Sequence, residues 1–469
     1  MTDIVSALAV AVSCAALLSQ GNRDHASSGS SRIRTAVEVE EEVYTVEVAN
    51  NGAGPMWSYG SSCIARVGER IFISGLETLA DVRPVNNVRW LLLTRQAQGW
   101  EVAAKGKGRT REPCPLACFP DGTLFLSDNP TLTGPEAERG PAKPEIHVFS
   151  AQHTEAPWQT LLPVWQGEPP FSEHSYRSFA ADAKNRELIL FQNIGYTHAE
   201  WSFRDRDGKW SAQGKLKWPW GAEYPEPQPI RVCYPAVALK NRAVHFCGVS
   251  DIEEPYPEWR QYKKEVSGRD WDYDFRRLFF TWSDDITTGK FHDWVEVSSR
   301  DKTCGWITPC DLWVGPDGAV HLLWTERALD ERLREKLFPG EKQSYALMYA
   351  VVRDGTVVLK QPLLLGGEGI SGERPGDGRF QVTPEGRVFA FYYLGGENAQ
   401  GQPISENRVL EIHPDGSQSE SVLVDLKQPF RKFYTATWRA GSPLSRVLDI
   451  YGTGAGKSEA LRYARVRIK

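Results

Sequence analysis

The sequence is poor in methionine, in excess basic charge and in long hydrophobic runs. It has only 3 Met among its 469 residues. Its net charge of −5 and isoelectric point near 6.1 argue against the basic surface that nucleic-acid-binding proteins carry. The most continuous apolar run near the start, Ile4 to Leu18, is shorter than the roughly 20 residues of a membrane-spanning helix. We therefore expect neither a nucleic-acid partner nor a membrane span.

The N-terminal stretch has the shape of a secretory signal peptide followed by a linker. The apolar run is followed by a polar, serine-rich segment from Gly21 to Ser31. Asp3 stands where a positively charged residue is usual, and no clear Ala-x-Ala cleavage site follows. We expect residues 1–31 to be a signal-like segment and linker, and the protein to be secreted or periplasmic.

Cysteine is too sparse and too irregularly spaced to indicate a metal site. The spacings of Cys114 with Cys118 and of Cys304 with Cys310 match neither a zinc ribbon nor a zinc finger. No cofactor is expected, although a structural metal ion is left open. Cys233 and Cys247 flank one hairpin on opposite strands, where either a disulfide or two buried thiols would fit.

The sequence is rich in tryptophan and in β-hairpin patterns. The 17 Trp suit aromatic packing between strands and also a surface that stacks on sugar rings. Two hydrophobic runs joined by a short polar or glycine-containing turn recur seven times. The seven hairpins are Ile64–Gly75, Leu116–Asp128, Phe179–Asn193, Ala236–Asp251, Leu312–Glu326, Phe380–Gly396 and Ala436–Gly452.

The spacing of these hairpins predicts a ring of similar sheets. Their turns recur about every 63 residues between Gly68 and Pro443, with further strand-like segments in between. Ala328 to Leu337 has the one clear helical pattern. We predict an all-β protein with a single seven-bladed β-propeller of four-stranded blades over residues 32–469, acting as a monomer. A pair of β-sandwiches is the alternative.

Several polar side chains stand where a propeller has its central pocket. Residues just before the first strand of each blade surround that pocket, and four of them are not turn formers: His174, Tyr234, Arg379 and Tyr434. His198 follows in a loop on the same side.

The longest insertion, Asp251 to Phe280, interleaves aromatic and basic residues such as Trp259 and Arg260. Aromatic rings stack on sugar faces, and guanidinium groups pair with carboxylate or sulfate. Arg231 opens the hairpin before this insertion. The pattern is typical of a surface that binds an acidic sugar polymer, although a solvated, salt-bridged loop would have the same composition.

Blades three and four carry a resemblance to a known family. His174 before its hairpin, His198 about one hairpin later and the pair Tyr234–Pro235 opening the next blade resemble the seven-bladed polysaccharide lyases, notably ulvan lyases. They are also similar to the wider BNR-repeat group, with its sialidase-like proteins and an L-rhamnosyl-glucuronate glycosidase.

The resemblance implies that a His and a Tyr transfer protons while an Arg neutralises the uronate carboxylate. His174 and Tyr234 match the motif, and His198 is displaced from it. Ser250 stands where the Arg is expected, so Arg231, Arg260 or Arg379 would have to serve.

The sequence thus predicts an enzyme that cleaves an acidic, uronate-containing polysaccharide by β-elimination in the central pocket. His174 is the expected base, Tyr234 the acid, and His198 a residue that orients substrate or shares the proton transfer. Three alternatives stay open: a sialidase-like hydrolase, a rhamnosidase-like hydrolase and a glycan-binding propeller without catalysis. The expected substrate-binding residues are Arg231, Arg260, Arg379, Tyr434 and Trp259.

Overall fold

Six of the seven predicted hairpins supply the two inner strands of a four-stranded antiparallel sheet, and seven such sheets form a β-propeller. The structure is a computed structural model that describes residues 33–270, 272–456 and 459–469. The signal-like segment predicted for residues 1–31 lies outside the described residues. The first strand of each sheet contacts the first strands of both neighbouring sheets, which closes a ring of seven inner strands. The predicted seven-bladed architecture is confirmed.

Blades 1 to 6 are each built from four consecutive strands of the chain, ordered from the inner to the outer strand. In blades 1 to 3 they are Ile64–Val67, Arg70–Thr78, Val88–Gln96 and Gly99–Lys105; Leu116–Cys118, Thr123–Asp128, Glu145–Ser150 and Gln159–Leu161; and Ser178–Asp182, Glu187–Ile194, His198–Arg204 and Trp210–Lys217. In blades 4 to 6 they are Val232–Lys240, Ala243–Ser250, Arg277–Ser283 and Val295–Ser299; Trp306–Val314, Val320–Arg327, Ser344–Arg353 and Thr356–Gly367; and Glu373–Val382, Val388–Glu397, Pro403–Ile412 and Val422–Val424.

Blade 7 joins the two ends of the described chain. Its inner strands are Phe430–Thr435, Val447–Gly454 and Ala460–Ile468, and its outer strand is Thr35–Thr45, which pairs antiparallel with Ala460–Ile468. The outer strand is acidic, and its glutamates meet arginines: Glu40 lies 2.8 Å from Arg462. Because the first strand completes the last sheet, the ring is closed by backbone hydrogen bonds rather than by side-chain packing alone.

The hydrophobic core is divided into seven clusters, one between each pair of neighbouring blades. Inner strands are buried on both faces, so successive side chains serve different clusters. In blade 4, Val237 and Leu239 pack toward blade 3, whereas Ala236 and Ala238 pack toward blade 5. The continuous apolar runs of the predicted hairpins follow from this double burial.

Short helices and small sheets lie in the connections. The α-helices are α1, Pro257–Ser267, and α2, Glu331–Leu337; the 3-10 helices are Ile286–Thr288, Asp301–Thr303 and Trp438–Ala440; the two-stranded sheets pair Trp220–Gly221 with Gln228–Pro229 and Ile252–Glu253 with Tyr273–Asp274. Helix α2 is the predicted helix, shortened at its start because Asp330 caps it by accepting from the Arg332 amide at 3.0 Å. None of the helices in the described part of the chain has the length and hydrophobicity that a bilayer span requires.

The seventh hairpin begins earlier than the sequence predicts. Its inner strand is Phe430–Thr435, so the predicted start at Ala436 is wrong. Residues 436–446 form a loop instead, and the loop contains the 3-10 helix Trp438–Ala440. This helix contacts the inner strands of blades 2, 3 and 4 and thereby occupies the centre of the ring.

Arg439 on this 3-10 helix binds several blades at once. Its side chain is buried, and its Nη2 lies 2.6 Å from Asp311 Oδ1 of blade 5. Its Nη1 donates to the carbonyls of Gly60, at 2.9 Å, and Val237, at 3.1 Å. Asp311 also accepts from the amide of Phe380 in blade 6. One buried ion pair therefore joins four blades and the segment before blade 1.

Gly441, which ends the 3-10 helix, leads to the first prediction. Its φ is +87°, and a Cβ at this position would lie 1.9 Å from the carbonyl oxygen of Cys118 in blade 2. We expect Gly441→Ala to destabilise the protein by more than the roughly 1–2 kcal/mol of a left-handed alanine, as measured by urea denaturation. Gly386→Ala is the control, because Gly386 has a similar φ of +85° and no atom near its Cβ position. Equal losses in the two variants would contradict the predicted close contact.

Cysteine is present only as thiol in the described part of the chain, where all seven residues are buried and free. Cys233 pairs with Val249 and Cys247 with Ala236 across the hairpin, so the two thiols are not opposite one another. The disulfide alternative for Cys233 and Cys247 is therefore not the arrangement observed.

Candidate active site

The segment before blade 3 carries His174 and is held in place by blade 2. Glu112, in the segment before blade 2, is buried and accepts hydrogen bonds from the backbone amides of Ser175, at 3.0 Å, and Tyr176, at 3.2 Å. The Ser175 hydroxyl donates to the same carboxylate. Three donors on one carboxylate fix the backbone that directly follows His174. The His174 ring is half-buried beside them.

Four aromatic side chains from three different segments meet next to His174. The ring centroid of Tyr234 lies 5.8 Å from Trp57, 4.6 Å from Tyr59 and 5.4 Å from Tyr176. The Tyr176 ring in turn stacks at 5.9 Å on His174. The two residues that the sequence assigned to proton transfer are thus brought together, with Tyr176 between them.

The three tyrosines of this cluster share an unusual backbone conformation. Tyr59, Tyr176 and Tyr234 have φ values of +46°, +41° and +52°. Bulky residues rarely adopt the left-handed region, at a cost of order 1–3 kcal/mol each, and such residues concentrate at functional sites. Because Tyr59 and Tyr176 both contact Tyr234, the fold holds these three rings together against a local backbone preference.

Arg111 provides the cation next to His174. Its Nη1 lies 2.6 Å from His174 Nε2, and its Nε donates to the Asn51 carbonyl at 2.9 Å. Its guanidinium carbon lies 5.1 Å from the Trp57 ring centre. No carboxylate forms an ion pair with Arg111 among the described residues. Its positive charge therefore remains available for an anionic ligand.

These surroundings set the protonation states of the two candidate groups. Burial, then the charge of Arg111 and then that of Arg231, lower the pKa of His174 to about 3, so the imidazole is neutral at neutral pH. Burial, followed by the neighbours Tyr176 and Asp251, raises the pKa of Tyr234 well above its usual value. The Tyr234 hydroxyl therefore keeps its proton, and no described residue accepts a hydrogen bond from it.

Arg231 lies beside the cluster but is already paired. Its Nη2 lies 2.9 Å from Asp251 Oδ2, and its Nε donates to the Asp251 carbonyl. Three tyrosine rings surround its guanidinium: Tyr196 at 3.9 Å, Tyr176 at 5.0 Å and Tyr273 at 6.0 Å. Arg231 thus contributes positive potential to the site while its side chain is held by Asp251.

His198 is engaged locally at the start of the third strand of blade 3. Its Nδ1 lies 2.7 Å from the Thr197 hydroxyl and its Nε2 lies 3.0 Å from Glu200 Oε1. Within the described ranges, no contact joins His198 to His174 or Tyr234. The structure therefore does not bring this predicted residue together with the other two.

Trp259 and Arg260 lie on helix α1, in a segment that the sequence presented as a binding loop. Trp259 packs against Tyr256 at 4.5 Å and Phe338 at 5.5 Å, next to the end of α2. Arg260 Nε donates to the Glu254 carbonyl at 2.8 Å. Trp259 thus packs the insertion against the end of α2, whereas Arg260 is partly exposed and bonds within the insertion itself.

Arg379 and Tyr434 are buried and use their polar atoms inside the fold. Arg379 donates to Asp377, to the Gly378 carbonyl at 2.6 Å and to the Tyr59 carbonyl at 3.2 Å. The Tyr434 hydroxyl accepts from the Ser58 amide at 3.0 Å. These two residues hold in place the segment that carries Trp57 and Tyr59, and they thereby support the site.

The carboxylates that a hydrolase would need are partnered. Asp251 pairs with Arg231, Asp311 with Arg439, and Glu326 with Arg300. Asp128 is buried in blade 2 next to His147.

Little empty space remains within the cluster. Trp57, Glu112, Tyr176, Arg177 and Tyr234 enclose a cavity of about 10 Å³, which is room for about one water. Arg177 is buried there, and its Nε and Nη1 have no hydrogen-bond partner among the described residues. Arg177 is thus a second cation in the cluster besides Arg111, and it faces this small cavity.

Sequence reasoning missed Arg111, Tyr176 and the Trp57–Tyr59 segment. Arg111 and Tyr176 flank positions that the repeat does place at the ring centre, Cys114 and His174, so the register of the blades was the available signal. Trp57 and Tyr59 precede the first hairpin in a stretch without strand character. Nothing in the repeat assigns them to the pocket.

Comparisons with known proteins give structural matches only. No protein-family model matches the chain, and no curated protein matches it. An ulvan lyase of a new polysaccharide lyase family, bound to -[GlcA(1-4)Rha3S]-, is similar over 91% of this chain and 95% of its own, with 10% identity and a TM-score of 0.52. A second ulvan lyase structure has 9% identity, the same coverage and a TM-score of 0.51. An α-L-arabinofuranosidase from Fusarium graminearum covers 92% of this chain and 98% of its own, with 10% identity and a TM-score of 0.43. The chain is thus similar in fold to the two ulvan lyase structures.

Proposed function

We propose that this protein cleaves an acidic, uronate-containing polysaccharide by β-elimination on the face of the propeller that carries His174 and Tyr234. The observation that carries the proposal is one constellation: a neutral imidazole, a protonated phenol and an arginine without a carboxylate partner surround a single aromatic cluster. Elimination from a uronate needs a base, an acid and a cation to neutralise the carboxylate. The constellation contains one of each.

Arg111 is the residue that we assign to the substrate carboxylate. The three arginines expected from the sequence are engaged elsewhere: Arg231 with Asp251, Arg379 with Asp377 and Arg260 with a backbone carbonyl. A uronate carboxylate paired with Arg111 would lie next to the His174 imidazole. Its negative charge would offset the positive charge of Arg111 that lowers the pKa of His174. Substrate binding would therefore prepare the base as well as acidify the C5 proton.

With the carboxylate held by Arg111, the reaction itself consists of two proton transfers. His174 accepts the proton from C5, the electron pair forms the C4–C5 double bond, and the glycosidic oxygen at C4 leaves. Tyr234 donates its phenolic proton to that oxygen. The rings of Trp57 and Tyr59 supply flat surfaces for the neighbouring sugars, since sugar faces stack on aromatic rings.

Paired-carboxylate hydrolysis is the competing reading, and the geometry weighs against it. Such hydrolysis uses two carboxyl groups on either side of the scissile bond, roughly 5–10 Å apart. Asp251, Asp311 and Glu326 are each bound to an arginine in the fold. Both carboxylate oxygens of Asp311 and of Glu326 already accept hydrogen bonds inside the fold, and Asp251 is held by its buried pair with Arg231.

The test is a panel of polyuronates followed by two readouts. Because one similar fold belongs to an ulvan lyase bound to a glucuronate–rhamnose sulfate, that polymer belongs in the panel. Ultraviolet absorbance of the conjugated double bond together with new reducing ends would support elimination. New reducing ends without that absorbance would replace the proposal with hydrolysis, and binding without either would replace it with a lectin-like role. A polymeric substrate also fits the export that residues 1–31 predict.

The pH dependence follows from the surroundings of His174. Because burial and Arg111 lower its pKa to about 3, the base form persists as pH falls through the ordinary histidine range near 6.5. We expect kcat/KM, which reports the free enzyme, to show no acid limb near 6.5. In Arg111→Met, which removes the nearest positive charge, the limb should move upward toward 6.5. An acid limb near 6.5 in the unmodified protein, unmoved in Arg111→Met, would contradict the assignment of His174 as base.

A further inference from the structure

Blade 2 contains a second cluster of reactive side chains, away from the aromatic cluster. Asp128 ends the second strand and Glu145 begins the third, and the two residues pair directly across the antiparallel ladder. His147 lies two positions after Glu145, so it points to the same face of the sheet. Two carboxylates and an imidazole therefore converge at one end of the two middle strands of this sheet.

Among the described residues, the two carboxylates face each other with no lysine or arginine as an ion-pair partner. Like charges directly opposite one another on neighbouring strands are destabilising, and Asp128 is only 2% exposed. In the described part of the chain, the only side chain that forms an ion pair with either carboxylate is His147. Such a pair of acids needs a positive charge nearby.

His147 is oriented toward this gap. Its Nδ1 lies 3.2 Å from the Thr160 hydroxyl, and its ring packs at 5.1 Å from Trp90. Its Nε2 lies 3.3 Å from Glu145 Oε1 and 3.6 Å from Asp128 Oδ2. That nitrogen has no hydrogen-bond partner among the described residues, although His147 is only 8% exposed. A polar partner that fixes one ring nitrogen and leaves the other aimed at carboxylates is the arrangement of metal-binding histidines.

We propose that Asp128, Glu145 and His147 bind a divalent transition-metal ion of the zinc class. One ligand atom from each residue lies within 4.8 Å of the other two. Ligand distances of about 2.0–2.2 Å place two atoms on one ion at most about 4.4 Å apart, so a small rotation of a carboxylate completes the site. An imidazole with two carboxylates suits zinc or manganese, whereas calcium prefers oxygen ligands alone.

The site would connect to the segment that carries His174. Asp128 Oδ1 accepts from the Asn129 amide at 2.7 Å. The Asn129 side chain donates to the Ser172 carbonyl at 2.8 Å, two residues before His174. An ion on Asp128 would therefore stabilise the segment before blade 3 as well as blade 2. Its role is structural, and it does not depend on the proposed reaction.

The test is metal binding by the full chain after treatment with a chelator. Isothermal titration with Zn²⁺ is expected to give one equivalent per chain, with Mn²⁺ binding more weakly and Ca²⁺ not competing. Glu145→Gln and His147→Ala should each weaken Zn²⁺ binding by more than about tenfold. Zn²⁺ should raise the melting temperature of the unmodified protein and not that of the two variants.

His153→Ala is the matched control, because His153 is an exposed histidine of the same blade. It should bind Zn²⁺ like the unmodified protein. Glu145→Gln keeps the shape of a partly exposed side chain, so it covers the case in which His147→Ala does not fold. Absence of a zinc equivalent in the unmodified protein, or equal binding by Glu145→Gln and the unmodified protein, would overturn the proposal.

Discussion

His174→Ala and Tyr234→Phe are each expected to lower kcat on the cleaved polyuronate by about 10²–10⁴-fold, the usual contribution of a positioned acid or base. Tyr234→Phe removes only an oxygen that has no partner among the described residues, so the aromatic packing with Tyr59 and Trp57 should survive. The double variant should lose little more than the worse single variant, because the two groups act in one step. Initial rates of double-bond absorbance measure all three.

Two variants serve as controls for this result. His153→Ala removes an exposed imidazole of blade 2, and Tyr262→Phe removes a phenol oxygen on helix α1. Both should keep kcat within about twofold, as surface substitutions away from a site do. A loss smaller than tenfold in either His174→Ala or Tyr234→Phe would remove that residue from the proton transfer.

The largest stability effect is expected at the centre of the ring. Arg439→Met leaves the Asp311 carboxylate buried without its cation, and breaking a buried pair in this way costs about 3–5 kcal/mol. The lost hydrogen bonds to Gly60 and Val237 add to the effect. Chemical denaturation should show a lower midpoint for this variant. Arg439→Met combined with Asp311→Leu should recover part of the loss, since it removes the orphaned charge.

Arg446→Met is the comparison for that experiment. Arg446 lies in the same blade 7 loop as Arg439 and pairs with Glu385 of blade 6 at 2.9 Å, with both side chains about half exposed. Exposed pairs contribute roughly 0–1 kcal/mol, so this variant should unfold close to the unmodified protein. Similar losses of stability in Arg439→Met and Arg446→Met would show that the buried central pair contributes no more to stability than an exposed pair.

The repeat could be predicted from the sequence because the inner hairpin of each blade is local. A hairpin needs only two apolar runs and a turn, and all seven carry both within about 20 residues. The seventh was displaced because residues 436–446 form a loop with a 3-10 helix, whose Trp438 and Ala440 resemble strand residues. Helix α1 was missed because its apolar positions, Trp259, Tyr262 and Val266, are few and stand among charged residues, although Pro257 at its start and Gly268 at its end were readable signals.

The candidate site could be predicted only in part, because sequence position does not reveal where a side chain points. His174 precedes the inner strand of blade 3 and Tyr234 lies near the start of the inner strand of blade 4, and both rings contact Tyr176. Arg379 and Tyr434 occupy equivalent positions, yet their polar atoms bind the backbone around Ser58 and Tyr59. The difference depends on a segment from before the first blade, and such long-range contacts leave no periodic signal. The same reason hid Arg111, whose neighbour Trp57 belongs to that segment.

The closure of blade 7 also has a consequence during synthesis. The strand Thr35–Thr45 finds its partner only when Ala460–Ile468 has left the ribosome, about four hundred residues later. At roughly 5–20 residues per second the strand waits on the order of 20–80 s as an open edge. Glu38, Glu40, Glu41 and Glu42 place four like charges along it, and charge on an open edge discourages pairing with another nascent chain. Once the chain is complete, Arg462 and Arg467 pair with Glu40 and Glu38. The same glutamates that discourage aggregation during synthesis therefore hold the strand in blade 7 afterwards.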